Sequence, residues 1–271
     1  MPEGDTIWRA ARALHAALAG KTVVAFASSL PAVTAAARRL DLVGRTIEAV
    51  EARGKHLLFR FSGGPVLHTH QGLRGAWRLQ RRTPAARWSP SARAVIETAD
   101  LVAVCSLAPV VELLSAARAA AHPALSRLGP DVLGPEFDAE TARRRLRARG
   151  GLEIGEALLD QTALAGIGNV YKSEVLFLCG VSPFARVRDL DDATLDGLVA
   201  RAGELMRRNT GPSGPRRVPG LAPGRLWVYR RSGQRCLRCG AAIQRAVQGE
   251  QARSTYFCPV CQRSAGSARE G

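Results

Sequence analysis

Long apolar runs are missing from this chain. The longest, 101–114, is broken by Pro109 and Glu112 and falls short of the roughly 20 residues that a membrane-spanning helix needs. The opening MPEGDTIWRA carries two acids and no apolar stretch, so neither a secretory signal nor a transit peptide fits, and a cytosolic protein is expected. Lysine is scarce: Lys21, Lys55 and Lys172 stand against 36 arginines. The four tryptophans are scattered and form no stacking platform. Cysteine is limited to six residues, expected to be reduced in a chain without an export signal. Acid is also in short supply, with 23 Asp and Glu against 39 basic residues and a formal charge of +16. That imbalance points to a polyanionic partner, nucleic acid ahead of an acidic membrane. It is uneven as well, since residues 201–271 hold 14 Arg and three Glu.

What is present is an ordinary globular composition. Hydrophobic residues make up 46% and charged residues 23% of 271 positions, which excludes a mostly disordered or fibrous chain. Asp5 can cap a helix over 5–19, whose apolar positions Ile7, Ala11, Leu14 and Leu18 fall on one face, with Gly20 at its end. Strand-like runs follow at 22–27, 46–51, 56–61, 66–70, 76–79, 94–98 and 101–106, separated by Gly and Pro. These predict a β-rich domain with one leading helix. The pattern then turns helical, with candidates at 139–149, 153–163, 171–179 and 191–208. Residues 209–224 carry four Pro and four Gly and no apolar periodicity, so a linker or mobile loop is expected there.

Three motifs carry chemistry. Cys236-x2-Cys239 and Cys258-x2-Cys261, 18 residues apart, have the spacing of a four-thiolate zinc finger. Four thiolates leave no open coordination position, so the metal folds the module and does not catalyse. Cys105 and Cys179 are left as small buried hydrophobes. Arg253, Ser254 and Thr255, between the knuckles, suit phosphate contact. Gly166-Ile-Gly-Asn169 joins two helical segments; such a turn either reverses the chain or aims amides and a helix N-terminus at a phosphate. Pro2, once Met1 is removed, presents a secondary amine with a pKa of about 8, far more of it free base at neutral pH than a lysine. Such an amine can attack a carbonyl-level carbon and form an iminium. His68 and His70 share one face of a strand and invite a metal, but with no carboxylate near them in the sequence a structural role is expected.

Taken in order, MPEGDTIWRAARALHAAL, RGKHLLFRF, LHTHQGLRGAW, HPALSRLGPDVL, LLDQTALAGIGNVYKSEVLF and RSTYFCPVCQ resemble the formamidopyrimidine-DNA glycosylase and endonuclease VIII family of DNA repair enzymes over nearly the whole chain. The MPEG opening is more similar to the endonuclease VIII branch than to the purine-directed branch. The resemblance implies an α+β protein: an N-terminal β-sandwich with a leading helix (1–118), a helix-two-turns-helix domain with its loop (119–224) and a C-terminal four-Cys zinc finger (225–271). DNA would lie in the cleft between domains. It implies a monomeric bifunctional glycosylase and AP lyase of base excision repair, acting on damaged double-stranded DNA in the bacterial cytosol or nucleoid, without a membrane partner. Pro2 would be the nucleophile at C1′, forming a Schiff base that undergoes β- and δ-elimination. Glu3 would protonate the ring oxygen as the sugar opens. Lys55, otherwise an ordinary hairpin charge, would contact a phosphate near the lesion; Asn169 and Arg253 would hold the backbone; Leu73 would fill the gap left by the flipped nucleotide. Zn2+ is the structural cofactor.

Some positions depart from the family pattern. The sixth residue, often an acid, is Thr6, and Gln71 and Arg74 differ from familiar gap-filling residues. Asp160 in LLDQ is read as structural. Oxidised pyrimidines are the expected substrates, with abasic sites second. The alternatives are a purine-directed formamidopyrimidine or 8-oxoguanine glycosylase and a non-catalytic damaged-DNA-binding protein.

Overall fold

Helix α1 (Gly4–Leu18) buries Ile7, Ala11, Leu14 and Leu18 along one stripe, the spacing that puts side chains on a single helical face. In the computed structural model, which describes residues 2–83, 89, 91–211 and 214–262, that stripe packs into the core of the first of two compact units, Met1–Arg127 and Leu128–Gly271. The helix begins one residue earlier than expected. Its cap position is Glu3, with extended backbone and no side-chain capping bond, and Asp5 is instead enclosed in the first turn. Gly20, in the left-handed region at φ +80, lets the chain turn back at the helix end.

The first unit is a sandwich of two antiparallel four-stranded sheets. One runs β1 (Ala25–Ala27), β6 (Ala92–Glu97), β7 (Leu101–Ser106), β5 (Ala76–Arg81); the other runs β2 (Ile47–Arg53), β3 (His56–Phe61), β4 (Val66–His70), β8 (Val110–Leu114). Leu57, Phe59, Phe61 and Leu67 from one sheet meet Ala94, Ile96, Ala103 and Cys105 from the other in a single apolar core with α1. Three strands, β3, β4 and β7, have the limits the sequence predicts.

Three expectations for this unit need correction. The run 22–27 is not one strand: Thr22 bridges Thr46 on one sheet, whereas Ala25 pairs with Glu97 on the other, so the segment changes sheets halfway. A second helix, α2 (Pro31–Arg39), follows β1, started by Pro31 in its first turn, a place where proline costs nothing because its missing N–H has no intrahelical partner. The eighth strand, β8, was concealed in the long apolar run; Pro109 precedes it rather than ending the strand region. Two short helices, α3 (Ala116–Ala120) and α4 (Pro123–Ser126), end the unit.

The second unit contains α5 (Ala139–Arg147), α6 (Ile154–Ala157), α7 (Asn169–Leu178), α8 (Asp192–Arg208) and a hairpin of β9 (Gln244–Gln248) and β10 (Arg253–Phe257). Asp138 and Asp191 cap α5 and α8, accepting from Thr141 N and Thr194 N. The predicted helix 153–163 is only one turn long. Asp160 draws the chain out of helix by accepting from the backbone N of Thr162 at 2.8 Å and from its hydroxyl at 2.7 Å, the local competition that short polar side chains offer a helix. The 209–224 stretch is more than a linker: Asn209 is buried, Val218 enters the helical core, and Leu221 packs against it. The fold is α+β, with an N-terminal β-sandwich, a helical domain and a C-terminal finger hairpin. No helix among the described residues is long and apolar enough to cross a membrane.

Candidate nucleic-acid interface and metal centre

In the first unit the expected catalytic residues sit at chain ends and turns of a rigid sandwich. Pro2 is half-buried and Glu3 fully buried at the head of α1, where Glu3 C=O accepts from Thr6 N and Ile7 N. A carboxylate at this position is favoured by the helix dipole. Next to it, Asp5 is fully buried, 3.8 Å from Arg9, and accepts from the Thr6 hydroxyl at 3.3 Å. Lys55 is half-buried in the two-residue turn that joins β2 to β3, where Gly54 has φ +59 and Arg53 pairs with His56. Leu73 stands at the tip of the turn after β4, a large apolar side chain left 68% exposed. Gly75 N donates to Gln71 C=O across that turn, and a Cβ on Gly75 would collide with the Gln71 backbone.

In the second unit Asn169 is half-buried and opens α7 directly after Gly168. The turn before it is braced from below. The Gln161 side-chain amide donates to Leu159 C=O and Ile167 C=O at 2.9 and 3.0 Å, while its oxygen accepts from Gly166 N at 3.0 Å. Asp160, read as structural, accepts from Arg149 Nε at 2.8 Å as well as from Thr162. Burial works against its charge, but the bonds from Thr162 and Arg149 outweigh it and hold the carboxyl below the usual range.

The finger hairpin β9–β10 is attached to α7 by a buried polar chain. Lys172, fully buried, donates to Thr255 Oγ1 at 2.6 Å and to Ser254 C=O at 3.3 Å. Thr255 donates in turn to Gln248 Oε1 at 2.8 Å, and Gln248 donates to Glu153 and to Pro183 C=O, both at 2.8 Å. Arg253 lies exposed at the start of β10, donating to Gln251. Thr255, by contrast, faces inward and is spent on Lys172. A second buried carboxylate, Glu174, accepts from the backbone N–H groups of Trp227, Val228 and Tyr229 at 2.8, 3.0 and 2.9 Å. Burial nonetheless pushes its carboxyl above the usual range. Sequence reasoning missed Lys172, Glu174 and Gln161; only the rarity of lysine marked the first.

The four cysteine sulfurs of the finger lie within 4.8 Å of one another, with Cys236 to Cys261 at 3.9 Å and Cys239 to Cys258 at 3.4 Å. Zn–S bonds of about 2.3 Å place tetrahedral sulfurs about 3.8 Å apart, so the thiols fit a closed structural zinc. Of the remaining cysteines, Cys105 is buried and its thiol is pushed up to about 12 by burial, whereas Cys179 is only half-buried.

The histidine reading needs correction. A carboxylate does stand beside His68: Glu112 Oε2 is 3.0 Å from His68 Nδ1 and 3.0 Å from His122 Nε2. Glu112 is 44 residues away in sequence and arrives through the pairing of β4 with β8. His56 Nδ1 is 2.8 Å from His68 Nε2. Burial, and then the neighbouring His68, His70, His122 and Lys55, lower His56 to about 3.

Comparison with known proteins places this architecture. Residues 1–105 match the formamidopyrimidine-DNA glycosylase N-terminal domain, 128–212 the formamidopyrimidine-DNA glycosylase H2TH domain, and 233–263 the zinc finger found in FPG and IleRS. The chain is 43% identical over 268 residues to the probable endonuclease 8 2 of Streptomyces coelicolor, covering 97% of this chain and 94% of that one. It is 39% identical to the DNA-(apurinic or apyrimidinic site) lyase Nei2 of Mycolicibacterium smegmatis, covering 97% and 99%. With endonuclease 8 of Escherichia coli it shares 34% identity over 97% and 100%. Among solved structures, Lactococcus lactis Fpg bound to DNA containing N7-benzyl-Fapy-dG superposes with a TM-score of 0.82 at 28% identity, covering 97% and 100%. The same enzyme non-covalently bound to AP-site DNA gives 0.81 at 27%, with the same coverage. The chain belongs to the formamidopyrimidine-DNA glycosylase and endonuclease 8 family.

Proposed function

We propose that this chain is a bifunctional DNA glycosylase and AP lyase of base excision repair that acts on oxidised pyrimidines and, secondarily, on abasic sites. The observation that carries the reading is the pairing of Pro2 with Glu3, a buried carboxyl fixed on the first cap of a core helix with a half-buried proline one residue before it. Burying a carboxyl is costly, and the cost has a purpose if the group must stand beside a reacting sugar.

In this reading Met1 is removed and the Pro2 amine attacks C1′ of the damaged nucleoside. The C1′–N bond to the base breaks as the C1′–N bond to Pro2 forms, and the Pro2 N–H proton passes to the departing base. Glu3 protonates the ring oxygen, the sugar opens, and the nitrogen lone pair closes the iminium. Loss of the C2′ proton expels the 3′ phosphate, and a further elimination expels the 5′ phosphate. Lys55, Asn169 and Arg253 hold phosphates, a role suited to their places on a tight turn, a helix N-terminus and an exposed strand end. Leu73, exposed on a turn stiffened by Gly75, fills the space left by the extruded nucleotide. The MPEG opening and the similarity to endonuclease 8 proteins favour pyrimidine over purine lesions. The protein works as a monomer in the bacterial cytosol.

Borohydride trapping tests the reading. The protein, confirmed to begin at Pro2, is incubated with DNA carrying an abasic site or 5-hydroxyuracil and reduced. The expected result is a covalent adduct mapping to residue 2, absent once the residue-2 amine has been acetylated, with β,δ-cleaved ends when reductant is omitted and much reduced turnover in Glu3→Gln. Tight DNA binding with no adduct on either substrate would overturn the enzyme assignment in favour of a damaged-DNA-binding protein. Adducts on 8-oxoguanine DNA alone would move the substrate to purines.

A further inference from the structure

The register of the sheet that contains β3, β4 and β8 brings five polar side chains together outside the sandwich core. His56 pairs with His70, Leu58 with His68, and His68 with Glu112. Alternation along each strand therefore puts His56, His68, His70 and Glu112 on one face, while Leu57, Phe59 and Leu67 take the core face. His122 comes to the same place from the chain after α3. It occupies the N-cap position of α4 but makes no capping bond; its Nε2 is 3.0 Å from Glu112 Oε2 and its buried Nδ1 has no hydrogen-bond partner. A cap side chain that neglects the helix amides and turns to a carboxylate serves something other than the helix.

We propose that His68 Nδ1, Glu112 Oε2 and His122 Nε2 form a second divalent-metal site, suited to Zn2+ and independent of both the cysteine cluster and the glycosylase reading. The three atoms lie within 4.8 Å of one another. Zn–N and Zn–O bonds of about 2.0–2.2 Å set tetrahedral ligand atoms about 3.3–3.6 Å apart. Both nitrogens now stand 3.0 Å from the carboxylate oxygen, so they need withdraw only a few tenths of an ångström to admit the ion. Two imidazoles and a carboxylate are the donor set that a borderline cation such as zinc accepts, and three protein ligands leave the fourth position to water.

The surroundings supply what such a site needs. A ligating imidazole is fixed by the partner of its other nitrogen, and for His68 that partner is His56 Nδ1 at 2.8 Å. Without an ion, Glu112 Oε2 accepts an N–H from each of His68 and His122; His68 Nε2 must then accept from His56. With the ion bound, each ring keeps one proton and changes tautomer by exchange with solvent: the metal takes the lone pairs of His68 Nδ1 and His122 Nε2, the protons sit on His68 Nε2 and His122 Nδ1, and His56, now protonated on Nε2, accepts from His68 Nε2–H at its Nδ1. His68 is 1% exposed, but the Glu112 side chain is 42% exposed and offers the ion a way in. The bound ion would tie β4, β8 and the start of α4 into one unit.

Metal stoichiometry on the full-length protein tests this. After equilibration with buffered Zn2+ and removal of loose ion, elemental analysis should find two zinc per wild-type chain and one in His68→Gln and in His122→Gln, with the finger zinc retained. Glu112→Gln should weaken the second equivalent at least tenfold. With Co2+ in place of Zn2+, the second equivalent should add weak visible bands without the intense near-ultraviolet absorption of thiolate-bound cobalt. Should His68→Gln fail to fold, His122→Gln decides alone. Saturation of wild type at one equivalent, or a second equivalent that survives the substitutions, would overturn the site.

Discussion

The β-sandwich and the finger hairpin solve the problem of holding functional side chains in opposite ways. The sandwich has a large apolar core, in which Phe59, Phe61, Leu57, Leu67, Ile47 and Ile96 are essentially fully enclosed, and its functional candidates ride on turns and on the end of α1. The hairpin has almost no core of its own. Val228, Ile243, Cys236 and Cys258 gather around Phe177 of α7, and what positions Arg253 is a metal and a string of buried hydrogen bonds through Lys172, Thr255, Gln248 and Glu153. An apolar core tolerates the loss of one contact by degrees. A polar string fails at a single link, since each group left unpaired in the interior costs the full desolvation penalty.

Four experiments sharpen that contrast, beginning with the largest effect. Stripping zinc with a strong chelator should remove about 10 kcal/mol or more of binding energy from the finger. The hairpin should become open to protease and DNA binding should collapse, while the sandwich keeps its cooperative thermal transition; simultaneous loss of both units would contradict the contrast. Phe59→Ala should cost the sandwich about 3–5 kcal/mol, read as a lower urea midpoint for the first unit with finger zinc content unchanged. Lys172→Met should cost about 1–3 kcal/mol by leaving Thr255 and the Ser254 carbonyl without their donor. Its signature is a rise of up to about tenfold in the Kd for DNA with zinc still bound, an effect that Thr255→Val should share and not add to. Leu73→Ala, at an exposed position, should change stability by no more than about 0.5 kcal/mol, yet slow base excision from duplex DNA more than cleavage of a pre-formed abasic site. Equal slowing on both substrates would remove Leu73 from the gap-filling role.

How far the sequence revealed this molecule depends on how local each signal is. The strands 56–61 and 66–70 were legible because short apolar runs are bounded by Gly54, Gly63, Gly64 and Gly72, and 101–106 because its apolar run lies between Asp100 and Pro109. The four cysteines were legible because their metal is encoded in spacing. Helix α2 was readable too, from Pro31 and the alanines after it, but the β-like surroundings overrode that local signal. Strand β8 vanished into an apolar run whose sheet pairing, Thr69 with Val111, is non-local. The histidine cluster was hidden for the same reason: the carboxylate that changes its meaning is brought by register and not by proximity. Lys172 looked like any helical lysine, since its burial depends on a hairpin more than 80 residues further on. The short α6 shows the reverse case, where a helical pattern yields to side chains, Asp160 and Gln161, that offer the backbone better bonds elsewhere.

Asn209 has a consequence for how such enzymes can diversify. Its side-chain amide donates to Leu205 C=O at 2.8 Å and to Arg217 C=O at 3.0 Å, and its oxygen accepts from Arg217 N at 2.7 Å. One residue at the end of α8 thus closes the loop 209–217, the first half of the proline- and glycine-rich segment. With positions 209 and 217 joined, a longer loop between them is cheap: doubling its length raises the closure cost by only about 0.6 kcal/mol. Insertions there need not disturb α8, so chain length can change at this point while the helix that carries it stays the same.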